Sequence, residues 1–209
     1  MTRRPDEMEF MGGCYVFPGG RVEKEDSSEQ MLRRCRGLSR TEAQRILGNE
    51  LSPKLALGHW IAGIRELFEE VGVLLCTTDS GAEINMELQR KLATRREALV
   101  EGVMDFRALL KSEGLYCDLQ RLAYFSHRIT PEKHSIRFDT RFYLARLPLD
   151  QIPLDSSQEV TESLWITPEE ALNRAQNDSL SVVPPTLAAL RTLATIDSWQ
   201  SLCAQYQLR

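Results

Sequence analysis

The chain has 209 residues, enough for one well-filled core or for one domain carrying a large insertion. Its hydrophobic content of 42% and charged content of 27% are ordinary for a soluble globular protein. A formal charge of −4 argues against a general nucleic-acid or anionic-membrane binder, but leaves room for an anionic small molecule met by local arginines or a metal ion. The five cysteines (Cys14, Cys35, Cys76, Cys117, Cys203) are scattered without a C-x-x-C pair, so reduced thiols in packing positions are expected. The start, "MTRRPDEMEF", lacks an apolar signal core, and no run approaches the ~18 residues of a membrane span. A cytoplasmic protein with no nucleic-acid and no membrane partner is the expectation.

In chain order, "YVF" reads as a short strand closed by Pro18-Gly19-Gly20. From Ser28 to about Leu47 the pattern is helical, with a capping box formed by Ser39 and Glu42 and a stop at Gly48. Ser52-Pro53 starts a second helix that should run to about Val71, with Gly72 at its C-terminal cap. The apolar "VLLC" follows, then a helical segment from Asn85 to about Lys111, broken near Gly102. Strand patterns return in "LAYFSHRIT" and in "IRFDTRFYLARL", the second alternating from Ile136 through Phe138, Thr140, Phe142 and Leu144. Thr167 caps a helix that has Pro168 first and Glu170 at the reciprocal position. "PPTLAALRTLATIDSWQSLCAQY" supplies one or two closing helices. With no repeat and no low-complexity linker, the chain reads as one mixed α/β domain with a helical insertion.

Glu66, Glu69 and Glu70 lie near the end of the second helix, within an arc of roughly 100°. Ile61, Ile64, Leu67, Phe68 and Val71 supply its apolar side, so the carboxylates should form one exposed stripe. Like charges at i,i+4 cost about 0.2–0.5 kcal/mol, and a helix C-terminus disfavours negative charge by about 0.3–1 kcal/mol. Taken alone, such a cluster is a solvated acidic face. A hard divalent cation reverses the balance, because Mg²⁺ takes oxygen ligands and is commonly shared between carboxylates and substrate phosphates.

"RELFEEVGV" fills every position of the R-E-U-x-E-E-x-G-U half of the Nudix box, where U is aliphatic, and "FPGGRVEKED" resembles the other half. The chain thus resembles Nudix hydrolases, whose α/β/α sandwich carries a mixed central sheet. The resemblance implies Mg²⁺ or Mn²⁺ held by Glu66, Glu69, Glu70 and the carbonyl of Gly20. It also implies that Glu69 binds metal or activates the attacking water, and that Arg65 orients the carboxylates. Gly19 and Gly20 are expected to supply positive φ and close backbone approach. Asp26 stands where the family pattern has Glu, and as a bare sequence feature could equally be a helix cap. The family spacing from this position to Arg65 is seven residues; here thirty-eight intervene, at about 27–55 the helical insertion. Such insertions resemble those of peroxisomal coenzyme A diphosphatases and their bacterial relatives, as do "FMGGCYVFPGG", "PPTLAAL" and "ITPEKHSIRFDTRFYLA".

The remaining candidates are substrate-facing. Arg137 and Arg141, four apart on a strand and so on one face, suit phosphate binding, and His127 and Arg128 could join them. Arg4, in the segment matching a T-x-R pattern upstream, is a further substrate-binding candidate. Glu159 and Glu162 precede Trp165 where some Nudix enzymes place a catalytic base, which makes Glu162 a catalytic candidate by that resemblance. The resemblance implies hydrolysis of a diphosphate linkage in a nucleoside diphosphate derivative, first coenzyme A or acyl-coenzyme A, otherwise NADH or ADP-ribose. A Nudix-fold isomerase would need a reactive cysteine, for which Cys14 is not obviously placed. A catalytically silent nucleotide sensor is opposed by the intact Arg65, Glu66, Glu69, Glu70 set. The insertion helices offer a surface for a homodimer. In the resembled branch a strand runs into the segment matching "TRRP", so more strand before Met1, or another element in its place, is expected.

Overall fold

The computed structural model describes residues 1–132 and 136–208. Its elements begin with β1 (Thr2–Arg3), β2 (Tyr15–Val16), α1 (Glu29–Leu32), β3 (Cys35–Arg36) and α2 (Arg40–Leu47). They continue with α3 (Pro53–Val71), β4 (Cys76–Thr78), α4 (Met86–Val100), α5 (Phe106–Ser112) and β5 (Leu115–Asp118). The last third holds β6 (Leu122–Ile129), β7 (Asp139–Ala145), β8 (Glu162–Ser163), α6 (Pro168–Gln176), α7 (Pro184–Leu193) and α8 (Trp199–Tyr206). This is an α/β fold with strands of mixed orientation, in which the strand pairing among the described residues falls into three sheets. The chain forms two compact units.

The unit that holds the glutamate helix spans residues 19–122 and 145–153. Its sheet has the order β3-β5-β4, with Cys35 beside Cys117 in the parallel pair and Cys76 beside Cys117 in the antiparallel one. The insertion, expected to be helical, therefore also contributes a strand. Two residues carry no strand signature of their own; pairing with β5 makes them one. Next to β4, Gln151 takes the place of a further strand, accepting the Leu74 N–H at 2.7 Å and donating to the Leu74 carbonyl at 2.9 Å. Otherwise those buried backbone groups would be costly.

Helix α3 forms where sequence chemistry puts it. The Ser52 hydroxyl accepts the Leu55 N–H at 3.3 Å, Pro53 fills the first turn, and Gly72 takes the left-handed conformation (φ 74°) that ends it. Leu57, Trp60, Ile61, Ile64, Phe68 and Val71 are buried along it, each worth about 1.5–3 kcal/mol of transfer free energy. The capping box at Ser39–Glu42 closes in both directions. Asn85 caps α4 through the Leu88 N–H, and Asp105 caps α5, so the break near Gly102 falls between two capped helices.

The other unit comprises residues 1–18, 123–144 and 154–208. Its sheet β2-β1-β8 is antiparallel, with Thr2 opposite both Val16 and Ser163. Tyr15, Ala171, Leu180 and Leu190 form its core, with Phe17, Leu164 and Ile166 packed against them. Strand β6 pairs with β7. Thr167 accepts the Glu170 N–H at 3.2 Å to start α6. Lys133, His134 and Ser135 of the "ITPEKHSIRF" stretch, and Arg209, lie outside the described residues. Among the described residues no helix is long and apolar enough to cross a membrane.

Candidate active site

Arg65 is the centre of the glutamate helix's chemistry. Its side chain is 6% exposed, and all five of its N–H donors have acceptors. Nε and Nη2 grip Asp26 Oδ1 and Oδ2 in a two-pronged bond, both at 3.0 Å, and Nη2 also donates to the Arg21 carbonyl at 2.8 Å. Nη1 donates to Glu66 Oε1 and Glu69 Oε2, each at 2.8 Å. A residue of the Pro18–Asp26 loop thus fixes the arginine, and the arginine fixes two of the three glutamates. Asp26 is 3% exposed and also accepts the Glu23 N–H at 2.8 Å, which excludes a mere capping role for it.

The two glycines divide their expected roles. Gly19 has φ 152° with open space where a Cβ would stand, so it supplies conformation. Gly20 is absent from the positive-φ glycines and supplies approach instead: a Cβ there would meet the Glu66 carboxylate at 2.5 Å.

The carboxylates are not the exposed stripe expected from their arc. Glu70 is buried, and the Glu66 and Glu69 side chains keep 12% and 21% of their exposure. Arg65 and Asp26 draw that face against the loop. Burial, reinforced by the negative charge of Glu66 and Glu23, pushes the Glu69 carboxyl up to about 7 against the opposing pull of Arg65. Burial works to lower the pKa of Arg65, but Asp26, Glu66 and Glu69 overcome it and raise the pKa. The two partners of one ion pair thus answer in opposite senses, Arg65 held in its charged form and Glu69 pushed toward its neutral one. The geometry explains this: one guanidinium serves three carboxylates, Asp26 takes its fork, and Glu69 receives a single arm.

These donors suit a hard divalent cation. They are oxygens, their charges crowd, and backbone is pressed onto one of them at Gly20. Arg65 engages one oxygen each of Glu66 and Glu69. Among the described residues no three acidic, histidine or cysteine side chains are gathered into a ready coordination shell.

One residue at this helix carries no sequence motif. Arg96 of α4 donates through Nε to the Phe68 carbonyl at 2.9 Å and through Nη2 to the carbonyls of Glu69 and Glu70. Nothing in the local pattern separates it from Arg95, which pairs with Glu113.

The remaining candidates lie in the other unit. Arg141 is 6% exposed at its side chain; Nη1 donates to Asp139 at 2.8 Å, and Nε is buried without a partner among the described residues. Arg137 precedes β7, which begins only at Asp139, so the alternation meant to pair it with Arg141 does not reach it. Arg137 is exposed and donates to the Thr130 carbonyl at 3.0 Å. Arg128 is exposed and donates to the His127 carbonyl, while His127 pairs with Asp139. Arg4 has a buried Nε without a partner among the described residues. Glu162 sits in β8 rather than on a loop, and accepts the Tyr15 hydroxyl at 2.7 Å.

A Nudix hydrolase from Alicyclobacillus acidocaldarius, known as a crystal structure, superposes with a TM-score of 0.71 at 26% identity, covering 98% of this chain and 86% of that one. The family described as the NUDT19 Nudix domain matches residues 37–193, and the chain belongs to it. The match includes the whole 65–73 segment but begins after Gly20 and Asp26. Putative nudix hydrolase 7 of Caenorhabditis elegans is 29% identical over 99% of this chain and 58% of its own length. Acyl-coenzyme A diphosphatase NUDT19 is 28% identical in Xenopus laevis (92% of this chain, 58% of that protein) and 29% in Gallus gallus (96% and 62%). The chain therefore spans about three fifths of the length of these curated relatives.

Proposed function

We propose that the chain is a metal-dependent hydrolase that cleaves the diphosphate linkage of coenzyme A or an acyl-coenzyme A. The observation that carries this reading is the five-donor engagement of Arg65, which locks Asp26, Glu66 and Glu69 into one cluster on the helix bearing the Nudix signature. Mg²⁺ or Mn²⁺ would be held by Glu66, Glu69, Glu70 and the Gly20 carbonyl. When bound, such an ion lowers the pKa of a coordinated water and offsets charge on the phosphate oxygens.

The chain's own residues then have separable tasks. Arg65 holds Glu66 and Glu69 in fixed rotamers before substrate arrives, which removes reorganisation from the reaction. Glu69, held at 2.8 Å by Arg65 Nη1, is assigned either to the metal or to taking a proton from the attacking water. Water adds to one phosphorus, the bond from that phosphorus to the bridging oxygen breaks, and the bridging oxygen leaves with the other phosphate. Glu162, exposed and accepting the Tyr15 hydroxyl through Oε2, is the second candidate for that base. Arg141 and Arg4, each with a buried Nε that has no partner among the described residues, are candidates for binding phosphate. Coenzyme A is put first because acyl-coenzyme A diphosphatases are among the relatives.

The test is incubation with Mg²⁺ and, in parallel, coenzyme A esters, NADH, ADP-ribose and nucleoside triphosphates, with products identified by mass. Release of 3′-phospho-AMP with a phosphopantetheine is expected. Cleavage of NADH or ADP-ribose alone would overturn the substrate, and full activity in excess EDTA would overturn the metal.

A further inference from the structure

The last turn of α3 is an unusual place to put function. It carries Glu69 and Glu70, and it is also the negative end of the helix dipole, where four carbonyls lack helical partners. Gly72 satisfies one of them by donating its N–H to the Phe68 carbonyl at 2.9 Å. The carbonyls of Glu69 and Glu70 receive Arg96, which also shares that of Phe68. A single guanidinium therefore ties three consecutive carbonyls, two of them belonging to the glutamates themselves.

The tie comes from a well-anchored element. Leu92 and Leu99 of α4 are buried, and Lys91 and Arg95 hold Glu113, whose side chain is 2% exposed. Arg96 brings a full positive charge to a helix end that otherwise adds to the crowding of Glu66, Glu69 and Glu70. Its bonds to the Phe68, Glu69 and Glu70 carbonyls bring that charge to the backbone of the turn. A helical residue turns about 100° from its neighbour, so loosening one turn would swing Glu69 and Glu70 by more than the tolerance of a metal-and-water site.

We infer that Arg96 is a positioning residue: it clamps the last turn of α3 and so sets the aim of Glu69 and Glu70. The inference rests on the function proposed above and adds a residue from outside the Nudix signature to it. Its consequence is that metal affinity and turnover depend on the Arg96 guanidinium itself, and not on the general stability of α4.

The experiment compares Arg96→Met, Arg96→Lys and Glu113→Gln with the wild type. Mn²⁺ binding is followed through the electron paramagnetic resonance of the free ion, and kcat, KM and Tm are measured alongside. Arg96→Met should weaken Mn²⁺ binding about tenfold and lower kcat by roughly ten- to a hundredfold, with KM within about twofold. Arg96→Lys, which keeps the charge but not the fork, should fall between, and it serves as the test variant if Arg96→Met does not fold. Glu113→Gln loosens α4 from α5 and should lower Tm while leaving Mn²⁺ affinity at the wild-type value. Wild-type Mn²⁺ affinity in the Arg96 variants, or an equal loss in Glu113→Gln, overturns the inference while the proposed function stands. A wild type that neither binds Mn²⁺ nor cleaves any substrate overturns both.

Discussion

Glu69 offers a test that needs no substrate. Its folded-state carboxyl titrates near 7 against an ordinary value of 4.5, with burial the leading cause. A carboxyl raised on folding binds its proton more tightly in the native state. The metal-free protein should therefore keep this contribution below pH 4.5 and lose it as pH rises through 7. At 1.36 kcal/mol per pKa unit the full difference is about 3 kcal/mol. The remaining 21% exposure of the side chain lets solvent screen some of it, so about 1–3 kcal/mol is the working range. Glu69→Gln keeps an acceptor for Arg65 Nη1 but never ionises. In EDTA the variant should match the wild type near pH 4 and exceed it by about 2–10 °C in Tm near pH 8. Thermal unfolding of both proteins across pH 4–8 reads this directly, since other carboxylates cancel in the difference. Mg²⁺ added at pH 8 should raise Tm in the wild type more than in the variant. Parallel pH profiles for the two proteins would refute the reasoning.

Arg65→Lys replaces five fixed donors with three on a flexible stem, leaving Asp26 buried without its fork; a loss of about 3–5 kcal/mol in urea unfolding is expected, and a loss under 1 kcal/mol would mean Arg65 does not anchor the loop. Gly20→Ala should cost activity far more than stability, because its methyl displaces the Glu66 carboxylate from Arg65 without straining the backbone, whereas Gly19→Ala should show the reverse; paired kcat and Tm measurements distinguish them. Thiol labelling of the native protein should be fast at Cys14 and Cys203 and slow at Cys35, Cys76 and Cys117. Cys76 and Cys117 are buried, and the Cys35 and Cys117 thiols are pushed up, Cys35 chiefly by its bond to Cys117 and Cys117 chiefly by burial. Uniform labelling of all five would contradict this.

The parts of the fold that sequence predicts well are those whose cause is local. A serine before a proline, a capping box and a glycine that can take positive φ each act within four residues, so the ends of α2 and α3 fall where the pattern puts them. The strand at Cys35–Arg36 has no local cause. It exists because Cys117 lies beside Cys35, a relation across eighty-two positions that no window can see. The late start of β7 has a similar origin, since alternation at Ile136 and Phe138 is compatible with a strand but does not require one. That alternation pairs Arg137 with Arg141, whereas the structure gives them different surroundings.

The site divides along the same line. The spacing of Arg65, Glu66, Glu69 and Glu70 is helical and therefore legible, and the motif they fill is the Nudix signature. Their burial is not legible, because it depends on a loop thirty-nine positions away returning with Asp26 to take the arginine's fork. That return changes the sense of the cluster. An exposed stripe would leave three glutamates ionised and weakly repelling, costing only tenths of a kcal/mol per pair. Buried, with one guanidinium shared three ways, the cluster drives Glu69 toward its neutral form, at a cost of about 1–3 kcal/mol in a single residue. A divalent cation would release the stored cost on binding. The long insertion is compatible with this because its ends are fixed at both sides of the cluster: Asp26 is tied to Arg65 at one end, and Ser52 starts the same helix at the other.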